Sequence, residues 1–406
     1  MSELQPPKRY RETEPQKNSK IVKHKSNGIR SLFESDLFTV GGFDIPFFAL
    51  TIALLTIGLI MLFSASYPYA LQKYDDSYHF FKQQLVFAVV GVIVMLVVSK
   101  MNYKLLKIVE KPLLGITLLL LVVVLFYHTQ VDDFKRWIPL GPITLQPSDI
   151  AKFSLILSMS VYASKYYNKM NKFTYGIVYP IMFMGVFCGL IALEHHMSCT
   201  ILVFLIGATI MFAGGTDWKL FAVGAGVIAA VIVVVVLNPD VLLEYNAERI
   251  TAWLDKTYEP LGARWQTNNS LYAIGSGGIF GVGLGNSKQK YLYVSEPQND
   301  FIFSIVCEEL GLVGAAAILI LFALLFWRGM KIAARTHDRL ASFIVIGVVA
   351  QIAIQTIFNV LVVTDTIPNT GIALPFFSYG GTAILMLLFE CGVVLSISRR
   401  ANQKTV

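Results

Sequence analysis

Long apolar runs alternate with short polar segments from about residue 45 to the C-terminus. Ten runs read as candidate membrane spans: about 45–66, 81–99, 112–128, 149–165, 176–193, 199–214, 218–237, 300–327, 340–364 and 379–398. A spanning helix needs roughly 17 to 25 apolar residues, because the bilayer core holds no water and each backbone N–H and C=O must be paired within the segment. A membrane barrel would instead alternate apolar and polar positions, which these unbroken runs do not. The predicted fold is all-α, a polytopic integral membrane protein of about ten transmembrane helices.

Composition agrees with the pattern. Of 406 residues, 55% are hydrophobic and 15% charged, with a mean hydropathy of +0.62, which excludes a soluble core under a charged surface. Residues 1–43 differ: they are polar, basic and short of apolar clusters, the composition of a disordered tail. No apolar run followed by a small-residue cleavage site precedes the first span, so that span is expected to insert and stay.

Charge then orients the spans. With the tail in the cytoplasm, 23 of the 33 Lys and Arg residues fall on inward segments, as positive charge in cytoplasmic loops requires. Both termini are then cytoplasmic, including the short tail 401–406. Nine spans would put Arg399, Arg400 and Lys404 outside. No nucleic-acid partner is expected.

This orientation gathers the unusual sequence on the outer side: 67–80, 129–148, 194–198, 238–299 and 365–378. Segment 238–299 is far longer than a structural connection needs, and loops of that length are usually functional. Around the fourth span, Arg136, Trp137, Gln146, Asp149 and Lys152 form a polar group. Lys152 lies inside the span, where a charge is costly and calls for a polar interior or a partner such as Asp149. Arg and Lys at a membrane edge suit an anionic headgroup, above all a phosphate. In LEHHMSCT, His195 and His196 are adjacent and point to opposite sides of a helix, a poor chelate. The four cysteines lack metal or redox spacing and read as small core residues.

The large outer segment opens with Arg249, Trp253, Asp255 and Lys256 at helix-like spacing, predicting an amphipathic helix on the outer leaflet. Glycines 275, 277, 278, 281, 283 and 285 follow. They lack the preceding strand and the GK[ST] ending of a nucleotide loop, and fit tight turns instead. Gln266, Ser270, Lys288, Gln289 and Lys290 add polar groups beside them. Asp300 then stands where polar sequence meets Phe301, Ile302 and Phe303, a setting that raises a carboxylate's pKa toward that of a usable base. A helix N-cap is the equal alternative on local evidence. Glu308 and Glu309 lie about two turns along, roughly 12 Å by helix rise, and are expected to pair inside the bundle. Pro368, Gly371, Pro375, Gly380 and Gly381 break the last outer loop at membrane depth, with Gln355 and Asn359 placed to satisfy freed backbone groups.

Three stretches together, KRWIPLGPITLQPSDIAK, RITAWLDKTYEP through VSEPQNDFIFSIVCEELG, and IPNTGIALPFFSYGGT, resemble the SEDS family of bacterial cell-wall polymerases, the group of FtsW, RodA and SpoVE. The resemblance covers most of 44–400 in order, and GLGNSKQKYLY looks closer to FtsW and SpoVE than to RodA. It implies a peptidoglycan glycosyltransferase in the cell membrane that joins lipid II units on the outer face and releases undecaprenyl pyrophosphate, in division, elongation or sporulation. It maps the family's essential acid onto Asp300 as general base. Arg136 and Lys152, with Arg249 and Lys290 behind them, become candidates for the pyrophosphate, and Gln146, Gln266 and Ser270 for substrate binding. A divalent cation, Mg or Mn, could share the charge, although no protein-only ligand cage is visible. A class B penicillin-binding protein and other divisome or elongasome membrane proteins are the implied partners. Three positions depart from the family: Asp149 where Glu is usual, His196 in place of an acid, and Asn269 where Gln is common. A lipid II flippase and a non-catalytic scaffold remain as alternatives; a flippase should carry ionisable groups along the whole bilayer, whereas the polar groups here cluster outward.

Overall fold

The computed structural model describes residues 42–126, 136–140, 143–219, 221–224, 226 and 244–403. All but the last two residues of the predicted tail 1–43, and most of the span predicted at 218–237, lie outside them. The other nine predicted spans each fall on a helix: α1 (Ile45–Tyr74), α2 (His79–Lys100), α3 (Leu106–Phe126), α4 (Pro147–Tyr166), α5 (Tyr179–Leu193), α6 (Met197–Ala213), α9 (Ile302–Arg335), α10 (Arg339–Val363) and α11 (Gly381–Gln403). Two shorter helices, α7 (Glu244–Leu254) and α8 (Trp265–Gly277), belong to the long segment before α9. A hairpin of β1 (Ile138–Leu140) and β2 (Ile143–Leu145), with Ile138 opposite Leu145, adds a small antiparallel element to the expected all-helical fold. Among the described residues, seven helices are long and apolar enough to cross a membrane, counting the 3-10 turn before α3 and the π-turn Thr174–Val178 before α5 as parts of theirs; α6 is apolar but shorter.

Burial separates centre from perimeter. In the most apolar window of α10, 72% of residues are buried inside the protein, against 17% in that of α3. On α2, Val86, Val89, Val90, Ile93 and Val97 are exposed, which is the arrangement lipid permits and water does not.

One end of the bundle, where α1 starts and α9 ends, is closed by charge. Asp44 caps α1 by accepting the Phe47 N–H, and its carboxylate pairs with Arg328 at 2.8 Å. Its own N–H donates to Ser398 of α11, and Tyr103 donates to Asp338 at the start of α10. The loops at this end are the basic ones. At the opposite end stand the hairpin, α7, α8, the turn holding Asp300 and the loop 364–380, all the segments predicted to face outward.

The glycine-rich stretch folds back onto α9. Val282 and Gly283 N–H groups donate to the Glu308 and Glu309 carbonyls, and Leu312 and Val313 N–H groups donate to Gly278 and Ile279. These bonds replace part of the helical ladder of α9, which kinks at Gly311 with φ 67° and ψ −171°. A side chain at 311 would overlap the Gly281 backbone, so only glycine fits.

Candidate active site

Asp300 lies in the turn just ahead of α9, whose boundary residue is Phe301 with no side-chain cap bond. The span therefore begins two residues later than predicted, and the N-cap role open to Asp300 is not the one it takes. Three successive carbonyls of this turn are held from other elements. Tyr379 N–H donates to Gln298 O at 2.8 Å, Ser378 Oγ to Asn299 O at 2.7 Å, and Asn359 Nδ2 to Asp300 O at 2.6 Å. The same Asn359 nitrogen donates to Ile372 O at 2.8 Å, and Ser378 Oγ accepts the Leu374 N–H. One amide on α10 thus fixes the turn and the 371–379 segment relative to each other.

The Asp300 carboxyl is half-buried. Loss of water raises its pKa to about 6; its own and the Phe301 backbone N–H and the Arg249 charge oppose that shift. Gly371, at φ 68°, is its neighbour: a Cβ there would stand 3.6 Å from Asp300 Oδ2. The backbone thereby leaves open approach space beside the carboxylate.

Arg249 reaches this place because α7 is latched to the loop after α10. Its Nη1 donates to Asn369 O at 2.9 Å, and Trp253 Nε1 donates to Asp365 O at 3.1 Å. The Asp365 carboxylate pairs with both Lys256, at 2.7 Å, and Arg264, at 2.8 Å. The helix predicted from Arg249, Trp253, Asp255 and Lys256 exists, but it ends at Leu254, leaving the last two in the following turn.

The other predicted residues separate into distinct groups. Lys152 is buried and pairs with Asp149 at 2.9 Å, one turn earlier on α4. The pair lines a small cavity shared with Gln351, Gln355, Ser378 and Glu390, and Gln351 donates to Glu390 at 2.8 Å. Ser378 thus touches both the cavity and the Asp300 turn. Arg136 donates to His195 O and faces buried Glu194, whose pKa burial pushes up to about 8 while Arg136 opposes the rise. His196 is driven down to about 3 by burial, then by Arg136 and Lys152. Gln146 stands at the junction of β2 and α4 without capping the helix. Gln266 donates to Ser295 O at 2.8 Å, and buried Ser270 to Val363 O at 2.9 Å.

Lys290 corrects its expected role. Its ammonium is buried and donates to Ser64 Oγ at 3.1 Å, Gly285 O at 2.7 Å and Glu309 at 2.9 Å. Three N–H groups are matched to three protein acceptors, so Lys290 fastens the glycine-rich stretch to α1 and α9 instead of meeting substrate. Glu308 and Glu309 pair inside the bundle as expected: Glu308 accepts the Lys288 N–H at 2.9 Å and the Ser287 hydroxyl, and Glu309 accepts from Ser64. Among the described residues, the named cation whose charge bears on Asp300 is Arg249.

Ser64, Asp365 and Ser378 are structurally decisive and were not singled out from sequence. Only Ser64, a polar residue within an apolar run, gave any signal. Among the described residues, no three His, Cys, Asp or Glu side chains converge as a metal site.

The family model described as a cell cycle protein, for FtsW, RodA and SpoVE, matches residues 46–403. The chain belongs to this family. Stage V sporulation protein E of Bacillus subtilis is 38% identical over 88% of this chain and 97% of its own length. A probable peptidoglycan glycosyltransferase FtsW of Trichlorobacter lovleyi is 35% identical over 89% and 94%. Two solved structures share the fold. One, from work on the structural coordination of polymerization and crosslinking by a peptidoglycan synthase complex, has a TM-score of 0.72 at 24% identity, covering 89% of this chain and 99% of that one. The other, the rod shape determining protein RodA of Thermus thermophilus, has a TM-score of 0.64 at 23% identity, covering 88% and 97%. As a family member with this helical architecture, the chain is a multi-pass protein of the bacterial cytoplasmic membrane.

Proposed function

We propose that this protein is a peptidoglycan glycosyltransferase that polymerises lipid II, with Asp300 as general base. The observation that carries the proposal is the Asp300 turn: a carboxyl of raised pKa on a backbone held at three successive carbonyls, beside an open glycine. A base must be held in place and have a pKa near working pH, and the fixed backbone and raised pKa of this turn support that role. The names of the relatives, FtsW and SpoVE, support the same reading.

In the proposed reaction Asp300 accepts the proton of the acceptor's GlcNAc 4-hydroxyl as that oxygen bonds to the donor's anomeric carbon. The bond from that carbon to undecaprenyl pyrophosphate breaks on the opposite face, inverting the α-linked donor to a β-glycoside. Pyrophosphate needs no added acid to leave, but its charge needs a cation. Arg249 is the first candidate, because its bond to Asn369 O and the bond from Trp253 to Asp365 O hold it beside the turn. Lys152 and Arg136 line separate polar sites and are proposed to bind substrate away from the reacting carbon.

The proposed setting places the Asp300 end outside and both termini in the cytoplasm, with a class B penicillin-binding protein as the partner that cross-links the strands. The likeness to a chain from a peptidoglycan synthase complex supports such an assembly. Purified protein supplied with labelled lipid II tests the activity. Asp300→Asn in a well-folded protein is expected to abolish glycan polymer; undiminished polymer overturns the assignment of the base. Lipid II translocation without polymer by the native protein would favour a flippase, and neither activity would favour a scaffold.

A further inference from the structure

A second polar cleft opens at the basic end of the bundle, remote in the fold from the Asp300 turn. It lies between α3, α4 and α5 and is bounded by Glu110, Tyr162, Lys165, Tyr166, Tyr175 and Tyr179. Met159, Pro180 and Phe183 add apolar surface to its lining. Nothing in the proposed reaction uses it.

The cleft is built rather than incidental. Tyr162 donates to Tyr175 O at 2.8 Å, and the rings run in sequence, Tyr162 to Tyr166 at 5.0 Å, Tyr166 to Tyr175 at 5.3 Å and Tyr175 to Tyr179 at 5.6 Å. The π-turn Thr174–Val178 carries Tyr175 and is fixed by Thr216, which donates to Gly176 O. Two ammonium groups lie over this wall: Lys165 at 5.0 Å from the Tyr166 centroid and Lys169 at 5.2 Å from that of Tyr175. Such contacts hold a lysine on an aromatic face while its charge stays available.

The cleft therefore combines a carboxylate, phenol rings and apolar side chains in its lining with two ammonium groups seated on its tyrosines. A basic pocket between spanning helices at the membrane surface suits a phospholipid headgroup. Glu110 makes the fit more specific, since it repels a purely anionic headgroup and accepts from a protonated amine. We propose that this cleft binds a phospholipid with a primary-amine headgroup, of the phosphatidylethanolamine type. Lys165 and Lys169 take its phosphate, Glu110 takes its ammonium, and one acyl chain runs along Met159 and Phe183.

Native mass spectrometry of the detergent-purified full chain, with dioleoyl phosphatidylethanolamine, phosphatidylcholine or phosphatidylglycerol added at equal concentration, tests the proposal. The choline lipid has the same net charge but no ammonium N–H to donate; the glycerol lipid has no ammonium. The expected result is ethanolamine-lipid retention about ten-fold above either, the scale of one charge-assisted hydrogen bond. Glu110→Gln should erase the preference over the choline lipid, and Lys165→Ala with Lys169→Ala should weaken all three. Equal or stronger retention of the glycerol lipid by the native protein overturns the proposal without any variant, and so does an unchanged preference in folded Glu110→Gln.

Discussion

In the proposed reaction Asp300 carries the proton, and Asn359 fixes where it is carried by holding the Asp300 carbonyl. With burial holding the Asp300 pKa at about 6, the base is ionised above that pH and disabled below it. The pH profile of polymerisation should therefore fall on its acidic limb near pH 6. The Arg249 charge holds that pKa down, so Arg249→Gln should move the limb to higher pH, a shift read from kcat/KM across a pH series. Asn359→Leu removes the shared donor of the Asp300 and Ile372 carbonyls. An orphaned carbonyl costs about 1–3 kcal/mol, and an ångström of misplacement costs about 100-fold in rate. The variant should melt at lower temperature and lose most of its kcat with little change in the position of the acidic limb. A kcat near that of the native protein would show that the turn is held well enough by Ser378 and Tyr379.

At the scale of elements, the kink of α9 and the stretch folded onto it form one unit. Gly311→Ala forces a side chain into the Gly281 backbone at positive φ, a strain of about 1–3 kcal/mol. Lys290→Met leaves Glu309 buried without its partner, for which about 3–5 kcal/mol is expected. Thermal unfolding in detergent measures both, and Lys290→Met combined with Glu309→Gln should recover part of the loss. The helices themselves were legible from hydropathy, because lipid demands continuous apolar runs and nine of the ten runs meet a described helix. The site was legible only in part. Asp300 announced itself as a charge at an apolar boundary, whereas Lys290 looked like a surface cation because its acceptors come from residues 64 and 309, far away in sequence. Ser378 and Asp365 were hidden for the same reason: a loop serine or aspartate gives no sign of which distant backbone it will hold.

For the molecule as a whole, orientation is the property that the proposed chemistry needs most. The segments bearing Asp300, Arg249 and Gly371 share one end of the bundle, and the Asp44–Arg328 pair stands at the other. Single reporters in a cysteine-free background check the sides. Tyr293→Cys, at an exposed position near Asp300, should react with a membrane-impermeant maleimide in intact spheroplasts. Arg335→Cys, exposed at the end of α9, should react only after permeabilisation. The reverse pattern would invert the topology and remove Asp300 from the face where lipid-linked sugars are polymerised.

A glycan strand fixed at its far end in the wall pulls on whatever grips its growing end. The bonds from Asn359, Ser378 and Tyr379 to residues 298–300 are arranged side by side, so such a load divides among three anchors on two separate pieces of backbone. Anchors in parallel yield only when all are strained together, whereas anchors in series fail at the weakest. If Asp300 is the base, these bonds would hold it in place under tension by sharing the load with α10 and the 371–379 segment.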